Sequence, residues 1–169
     1  MKILTALLIA ILCGQAQAIP MGRDHFLSHG PGAAQEAMGE AAVGSVSGPV
    51  SLYYNASGLS QSEPGISGEW MRLIPGINYS WFGTAFDVGF AQMGLGLISL
   101  DLGEIQARSS IDDPGTRVSS HQRAYLLGSA REVYPGFYTG TTFGLLDYSL
   151  AGFNSNAYFA DLGFSYKSQ

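Results

Sequence analysis

Three histidines, a serine pair and an aspartate pair are the residues of this chain whose types and spacing could carry chemistry. His25 and His29 are four apart, the spacing that sets two imidazoles on one face of a helix, where they can hold a metal. The chain between and after them, Phe26-Leu27-Ser28 and then Gly30-Pro31-Gly32, interrupts a helix before it is established, so no metal site is expected there. His121 follows Ser119-Ser120 in a predicted strand. Successive strand residues face opposite ways, so Ser119 shares a face with His121 and Ser120 does not. A serine and a histidine on one barrel strand are what a small outer-membrane lipid hydrolase would use as nucleophile and base. The plainer reading is a polar histidine on a lumenal or surface face. Asp112-Asp113 stands before Pro114-Gly115, the ordinary composition of a turn rather than a calcium loop. Asn55-Ala56-Ser57 matches a glycosylation sequon, which a bacterial envelope protein does not normally use. No glycine cluster has the strand, loop, helix and lysine order of a phosphate-binding loop. The chain is therefore expected to be no enzyme and to need no cofactor or metal.

The first residues explain where the chain goes. Lys2 supplies a positive start, Ile3 to Cys13 is a continuous apolar run, and Ala16-Gln17-Ala18 is a small-x-small processing site. Residues 1–18 are thus expected to be a cleavable signal peptide, with the mature chain starting at Ile19. Eleven apolar residues are too few for a helix to span ~30 Å of hydrocarbon. Cys13 follows Leu12, where lipoprotein processing needs a small residue. Cleavage removes this sole cysteine, so disulfides and thiolate chemistry are excluded from the mature chain.

Only 12% of residues are charged, against 46% apolar and 12% aromatic, and the formal net charge is -5. Soluble domains carry about twice that charged fraction. Without Lys2 the chain has 7 basic and 13 acidic residues, too few cations to neutralise phosphates, so nucleic acid is not an expected partner. No stretch after the signal is apolar for 18 residues, which leaves strands as the route into a bilayer. Strand segments are predicted at Ser67 to Ile74, Ile77 to Phe86, Phe90 to Leu102, Ile105 to Ser110, Val118 to Val133, Phe137 to Ala151 and Ala157 to Lys167. Pro75-Gly76, Asp113-Pro114-Gly115 and Pro135-Gly136 mark turns between them. In the last segment Tyr158, Ala160, Leu162, Phe164 and Tyr166 fall on one face, while Asp161, Gly163 and Ser165 fall on the other. An aromatic face backed by a small and polar one suits a barrel with lipid outside and a polar lumen; a soluble periplasmic β-sandwich has the same periodicity. Sparse charge and aromatic residues near segment ends favour the barrel. Arg123 and Arg131 share parity with Tyr125, Leu127 and Ser129 and are expected to bound a lipid-facing segment. Asp87, Asp101, Glu132 and Asp147 are expected at the lumen or rims. The long Val118–Val133 segment is expected either to project beyond the membrane or to contain a hairpin. Gly94, Gly96, Gly128, Gly140 and Gly144 are read as structural positions for curvature or close packing.

Residues 19–60 differ in kind from the strands of 61–169. Ala34, Ala37, Met38, Ala41 and Ala42 stand at helical spacing, and Gly48-Pro49-Val50-Ser51-Leu52-Tyr53-Tyr54-Asn55-Ala56-Ser57-Gly58-Leu59 reads as an extended aromatic run that forms a first strand. The stretch Gly32 to Leu59 resembles the start of the PorV/PorQ-like outer-membrane proteins, relatives of the FadL-type transporters of hydrophobic compounds. In that family a Gly/Ala-rich segment leads into a Tyr-Tyr-Asn-Pro-Ala-Gly-Leu-like motif. The matching positions are Tyr53, Tyr54, Asn55, Gly58 and Leu59, with Ala56-Ser57 where the family has Pro-Ala. Weaker support comes from the glycine-rich Phe90–Leu102 segment, from Asp101 to Ile105, and from Asp161-Leu162-Gly163.

The resemblance implies an antiparallel outer-membrane β-barrel with an N-terminal helical hatch, in which Asn55 fixes the backbone. Family members are about twice this length, so the chain is expected to supply an incomplete barrel, or one that closes by oligomerising. By the same resemblance its role is passage of hydrophobic compounds, or service in a protein-export or surface-attachment assembly. Outer-membrane lipid, a hydrophobic ligand and secretion-system proteins are then the expected partners.

Overall fold

The computed structural model describes residues 26–107, 115–150 and 153–168. Six strands, β1 (Gly65–Ile74), β2 (Ile77–Asp87), β3 (Gln92–Ala107), β4 (Thr116–Tyr134), β5 (Phe137–Leu150) and β6 (Phe153–Tyr166), form one antiparallel sheet in chain order. Each strand pairs with its sequence neighbour, which leaves β1 and β6 as free edges. The architecture is thus an all-β antiparallel meander, and it is an open sheet, not a closed barrel. The expected signal peptide, His25 and Asp112-Asp113 lie outside the described residues.

Turn chemistry sets the hairpins. Pro75-Gly76 and Pro135-Gly136 each join two strands, and both glycines have positive φ, 91° and 77°. Proline followed by a positive-φ glycine is the arrangement of a type II turn, whose twist does not match that of the flanking strands. Both hairpins carry a register shift directly before the turn, between Arg72 and Ile74 and between Glu132 and Tyr134. The extra residue adds local twist and lets the ladder close around the turn. The second turn is also held by Glu132, whose Oε1 accepts from the Gly136 N–H at 2.7 Å.

Sequence reading and structure part at two places. The segment expected at Phe90–Leu102 and the described part of the one expected at Ile105–Ser110 belong to one strand, β3, and the chain does not break at Gly103. That glycine has φ 68° and donates its N–H to Asp101 Oδ1 at 2.9 Å, so it is a bulge, and pairing with β4 resumes at Glu104 and Ser119. The long β4 contains no hairpin.

The second difference is larger. The expected first strand over Gly48–Leu59 is helical: a short helix α1 (Ala33–Ala37) is followed by α2 (Ser51–Tyr54) and a 3₁₀ helix (Ala56–Gln61). The physical reason is a polar one. The Ser51 hydroxyl donates to the Gly48 carbonyl and Asn55 caps the 3₁₀ helix, so local bonds satisfy backbone that would otherwise need a strand partner.

The N-terminal segment lies on one face of the sheet and creates the core. Leu52 and Leu59 pack against Tyr79, Trp81, Ala85, Ile98, Ala124, Leu126, Ala130 and Leu146. Room for it comes from glycines that register pairs across strands: Gly83 with Gly96, Gly94 with Gly128, and Gly140 with Gly163. A Cβ at Gly128 would stand 2.4 Å from the Leu52 side chain, and one at Gly140 would stand 2.5 Å from the Ala56 backbone carbon. The strand glycines expected to serve packing thus form a furrow, although Gly144 instead receives the Phe159 ring.

Gly140→Ala is expected to destabilise the fold by about 1–3 kcal/mol, because backbone cannot move aside as a side chain can. Gly68→Ala, whose Cβ would meet nothing closer than 3.8 Å, is expected to be neutral. Chemical denaturation of both variants in non-ionic micelles checks the difference.

Candidate functional site

The inner face of the sheet and the segment seated on it form the candidate site. Asn55 is its fastening. The side-chain Oδ1 accepts from the Ser57 N–H at 3.2 Å and from the Ser57 hydroxyl at 2.8 Å. Its Nδ2 donates to the Val43 carbonyl at 3.0 Å and to the Phe164 carbonyl of β6 at 3.2 Å. One amide therefore caps a helix, holds the preceding loop and ties both to an edge strand 109 residues away. Ser165 adds to this junction through the Ser57 hydroxyl at 2.8 Å and Gln61 Nε2 at 2.6 Å. Across the sheet, Thr142 Oγ1 donates to the Leu52 carbonyl at 3.1 Å.

The other motif residues share this junction. Leu59 is fully buried. Gly58 allows close approach, since a Cβ there would meet the Val46 carbonyl oxygen at 2.3 Å. Tyr53 donates its hydroxyl to the Leu27 carbonyl, and its ring meets that of Tyr54 edge to face at 4.7 Å. Burial, followed by the Glu40 carboxylate, pushes both phenols up to about 12. At the other end of the segment, Gly30 N donates to Glu40 at 3.0 Å and Gly32 N to Glu69 of β1 at 2.7 Å. The segment is thus held to both edge strands.

Two adjoining cavities open beside it. One, of about 300 Å³, is lined by Leu52, Tyr53, Leu126, Leu146 and Phe159, with Asp161 at its edge. The other, of about 450 Å³, shares Leu52, Tyr53 and Asp161 and extends past Asn55 and Thr142. The first is close to the lower end of the range that ligand pockets occupy, ~300 Å³.

The opposite face is apolar and uncovered. Phe82, Leu95, Tyr125, Leu127, Phe143, Tyr158 and Leu162 are all exposed there, Tyr158 at 80% and Leu162 at 73%. Register makes these positions contiguous: Phe82 pairs with Leu97, Leu97 with Tyr125, Tyr125 with Leu145, and Leu145 with Tyr158. Arg123 and Arg131 are exposed on this face, about 26 Å apart along β4 at ~3.3 Å per residue. Between them the outward positions of the strands hold no charge, and the row through Arg123 is polar, with Ser80, Ser99, Asp147 and Asn156.

The residues weighed for chemistry do not assemble. His29 meets Glu36 at 3.1 Å and the Met71 sulfur at 3.3 Å. His121 lies on the outer face 4.0 Å from Asp147. The Ser120 hydroxyl is donated to the Ser149 carbonyl at 2.9 Å from the other face. Among the described residues no group of three metal-binding side chains comes together. Asp87 and Glu132 take inward parity at the rims, where they bond turn N–H groups, whereas Asp101 and Asp147 take outward parity. Sequence reading missed Glu69 and Thr142 as partners of the N-terminal segment, and Asp161 as a residue of the cavities beside it. Asp161 was placed with Gly163 and Ser165 on the polar face of the β6 alternation, but nothing local showed what that face meets.

No family model, curated protein or solved structure matches the chain.

Asn55→Ala is expected to cost about 1–2 kcal/mol and to expose the N-terminal segment to protease. Asn55→Asp keeps the capping acceptor, loses both donors and should fall between the two. Limited proteolysis with mass mapping reads the order. Docking of the segment should also weaken at alkaline pH. The phenols of Tyr53 and Tyr54 ionise near 10 when undocked and near 12 when docked, so the docked state is favoured most below pH 10 and loses that advantage as pH rises to 12. Phenolate absorbance measured alongside protease sensitivity would show both changes in this window.

Proposed function

We infer that this chain is a non-enzymatic outer-membrane protein of PorV/PorQ-like type, exported by its signal peptide, whose six strands contribute to a β-barrel wall. The observation that carries the reading is the uncharged apolar belt across all six strands, on the face that the N-terminal segment does not cover. In water such a belt is far larger than the patches a monomeric soluble protein exposes. In a bilayer it matches the ~25 Å apolar band of transmembrane barrels, with arginines reaching the headgroups. Trp70, Tyr134, Tyr158 and Tyr166 stand exposed toward its borders, as interfacial aromatics do. A periplasmic sandwich would need a second sheet over this face, and the described residues form one sheet.

The N-terminal segment then sits on the lumenal side, where the family resemblance puts a hatch. Passage of hydrophobic compounds is the role favoured by the apolar cavity at Leu52, Leu126 and Leu146; service in an export or attachment assembly needs a partner surface beyond the belt. The free edges of β1 and β6 must be paired in lipid, because each unsatisfied backbone group costs several kcal/mol there. Pairing with further strands, including those of a second copy, completes the wall.

Expressed with its own signal in a Gram-negative host, the chain is expected in the outer-membrane fraction, resistant to alkali and shifting in gel mobility on boiling. Leu127→Arg, in the middle of the belt, should lower assembly by about 2–4 kcal/mol, while Arg123→Lys should not. Recovery of the unaltered chain in the periplasmic supernatant would reject the membrane reading.

A further inference from the structure

Charge divides between the two faces of the sheet. Along the strands the described cations Arg72, Arg117, Arg123 and Arg131 all take outward parity. The charged residues of inward parity are Glu69, Asp87, Glu132 and Asp161, all carboxylates. Residues 26–64, which include the segment laid on this face, hold Glu36, Glu40 and Glu63 and no lysine or arginine. Glu36, Glu40, Glu69, Asp87 and Glu132 are engaged by a histidine or by backbone N–H groups. Asp161 differs. It has no hydrogen-bond or ion-pair partner among the described residues, and it borders both cavities.

We propose that the groove between α2 and strands β4–β6 binds an apolar molecule bearing an amine, with its hydrocarbon body on Leu52, Leu126 and Leu146 and its ammonium at Asp161. The reasoning rests on reading the inner face as a lumen. Apolar walls accept any hydrocarbon chain, so selection falls to the head group. A carboxylate head would meet an unpaired aspartate on a face where the described strand and segment residues hold no lysine or arginine to bind it. An ammonium would gain the Asp161 carboxylate, with the rings of Phe159 and Tyr53 beside it for cation–π contact. A neutral head falls between the two. The lumen thus discriminates by sign, against free fatty acids and in favour of aliphatic amines.

Three probes of equal chain length test this: dodecylamine, dodecanol and dodecanoate, measured by equilibrium dialysis against the full chain in non-ionic micelles, with protein-free micelles as reference. The amine is expected to bind at least about tenfold more tightly than the carboxylate, with the alcohol between. Asp161→Asn should bring the amine to the level of the alcohol. Asp147→Asn removes the same charge from the outer face and should keep the full preference. The gel shift on boiling verifies that each variant is folded, and Asp161→Glu, which retains the charge, should retain the preference if Asp161→Asn does not fold. Equal binding of amine and carboxylate, an amine preference that survives Asp161→Asn, or binding of none of the three would overturn the proposal. Amine selectivity in a chain that fails to reach the outer membrane would reject the membrane reading alone. Outer-membrane insertion without head-group selectivity would reject this inference alone.

Discussion

Close approach between the N-terminal segment and a glycine furrow is the constraint on which the rest of the structure depends. A strand glycine weakens an isolated sheet, since it adds backbone entropy and contributes no side chain to pack. Here the loss is offset by what the missing Cβ admits. Leu52 and Leu59 reach the strand backbone at Gly94 and Gly128, and the Ala56–Ser57 backbone reaches Gly140. The furrow is a property of register, because no glycine has its partner nearby in sequence. A slip of one residue in β4 would turn Gly128 outward and aim Leu127 at Leu52. The segment and the ladder therefore specify each other: docking requires this register, and the register leaves a gap that only a close-packed segment fills.

That mutual dependence explains why the sheet has two unlike apolar faces. The inner one is covered within the chain, with polar ties at its centre and edge: Thr142 bonds the Leu52 carbonyl, and Asn55 bonds across to β6. The outer one is covered by none of the described residues, although it holds larger aromatic side chains. Apolar surface of this extent is stable only against lipid or another protein. Its uniformity across six strands, without the polar rim and compact centre of a protein contact, accords with lipid.

How far this was legible in the sequence depends on the range of the interactions. The alternation in β6 and the Pro-Gly turns are local, and they located five of the six strands closely. Gly103 misled, because an aspartate two residues before a glycine can end a strand or bulge it, and only the resumed pairing of Glu104 with Ser119 decides. Ser51 to Gln61 misled for a related reason. Leu52, Tyr53 and Tyr54 have residue types common in strands, yet the capping oxygens of Ser51 and Asn55 satisfy the backbone locally. Asn55 could be singled out from its motif, whereas its bond to Phe164 could not, since 109 residues separate them. Asp161 was legible as a residue of the polar face of β6 and illegible as a groove residue.

The distribution of charge carries one step more. On the membrane reading proposed above, side-chain reach accounts for part of it: an arginine on the outer face extends its stem to the headgroups, whereas a short carboxylate in mid-belt cannot, which matches the lack of carboxylates in the middle of that face. Reach does not account for the inner face. A water-accessible face tolerates lysine and arginine as readily as aspartate, and pairing them would relieve the repulsion among the carboxylates. Among the described residues their absence there leaves Asp161 without a counter-ion beside an apolar cavity. Asp161 is solvent-exposed beside the cavity, so water holds its carboxylate, and packing does not require a charge at that position. On the binding reading proposed above, an ammonium from outside the chain takes the place of that water.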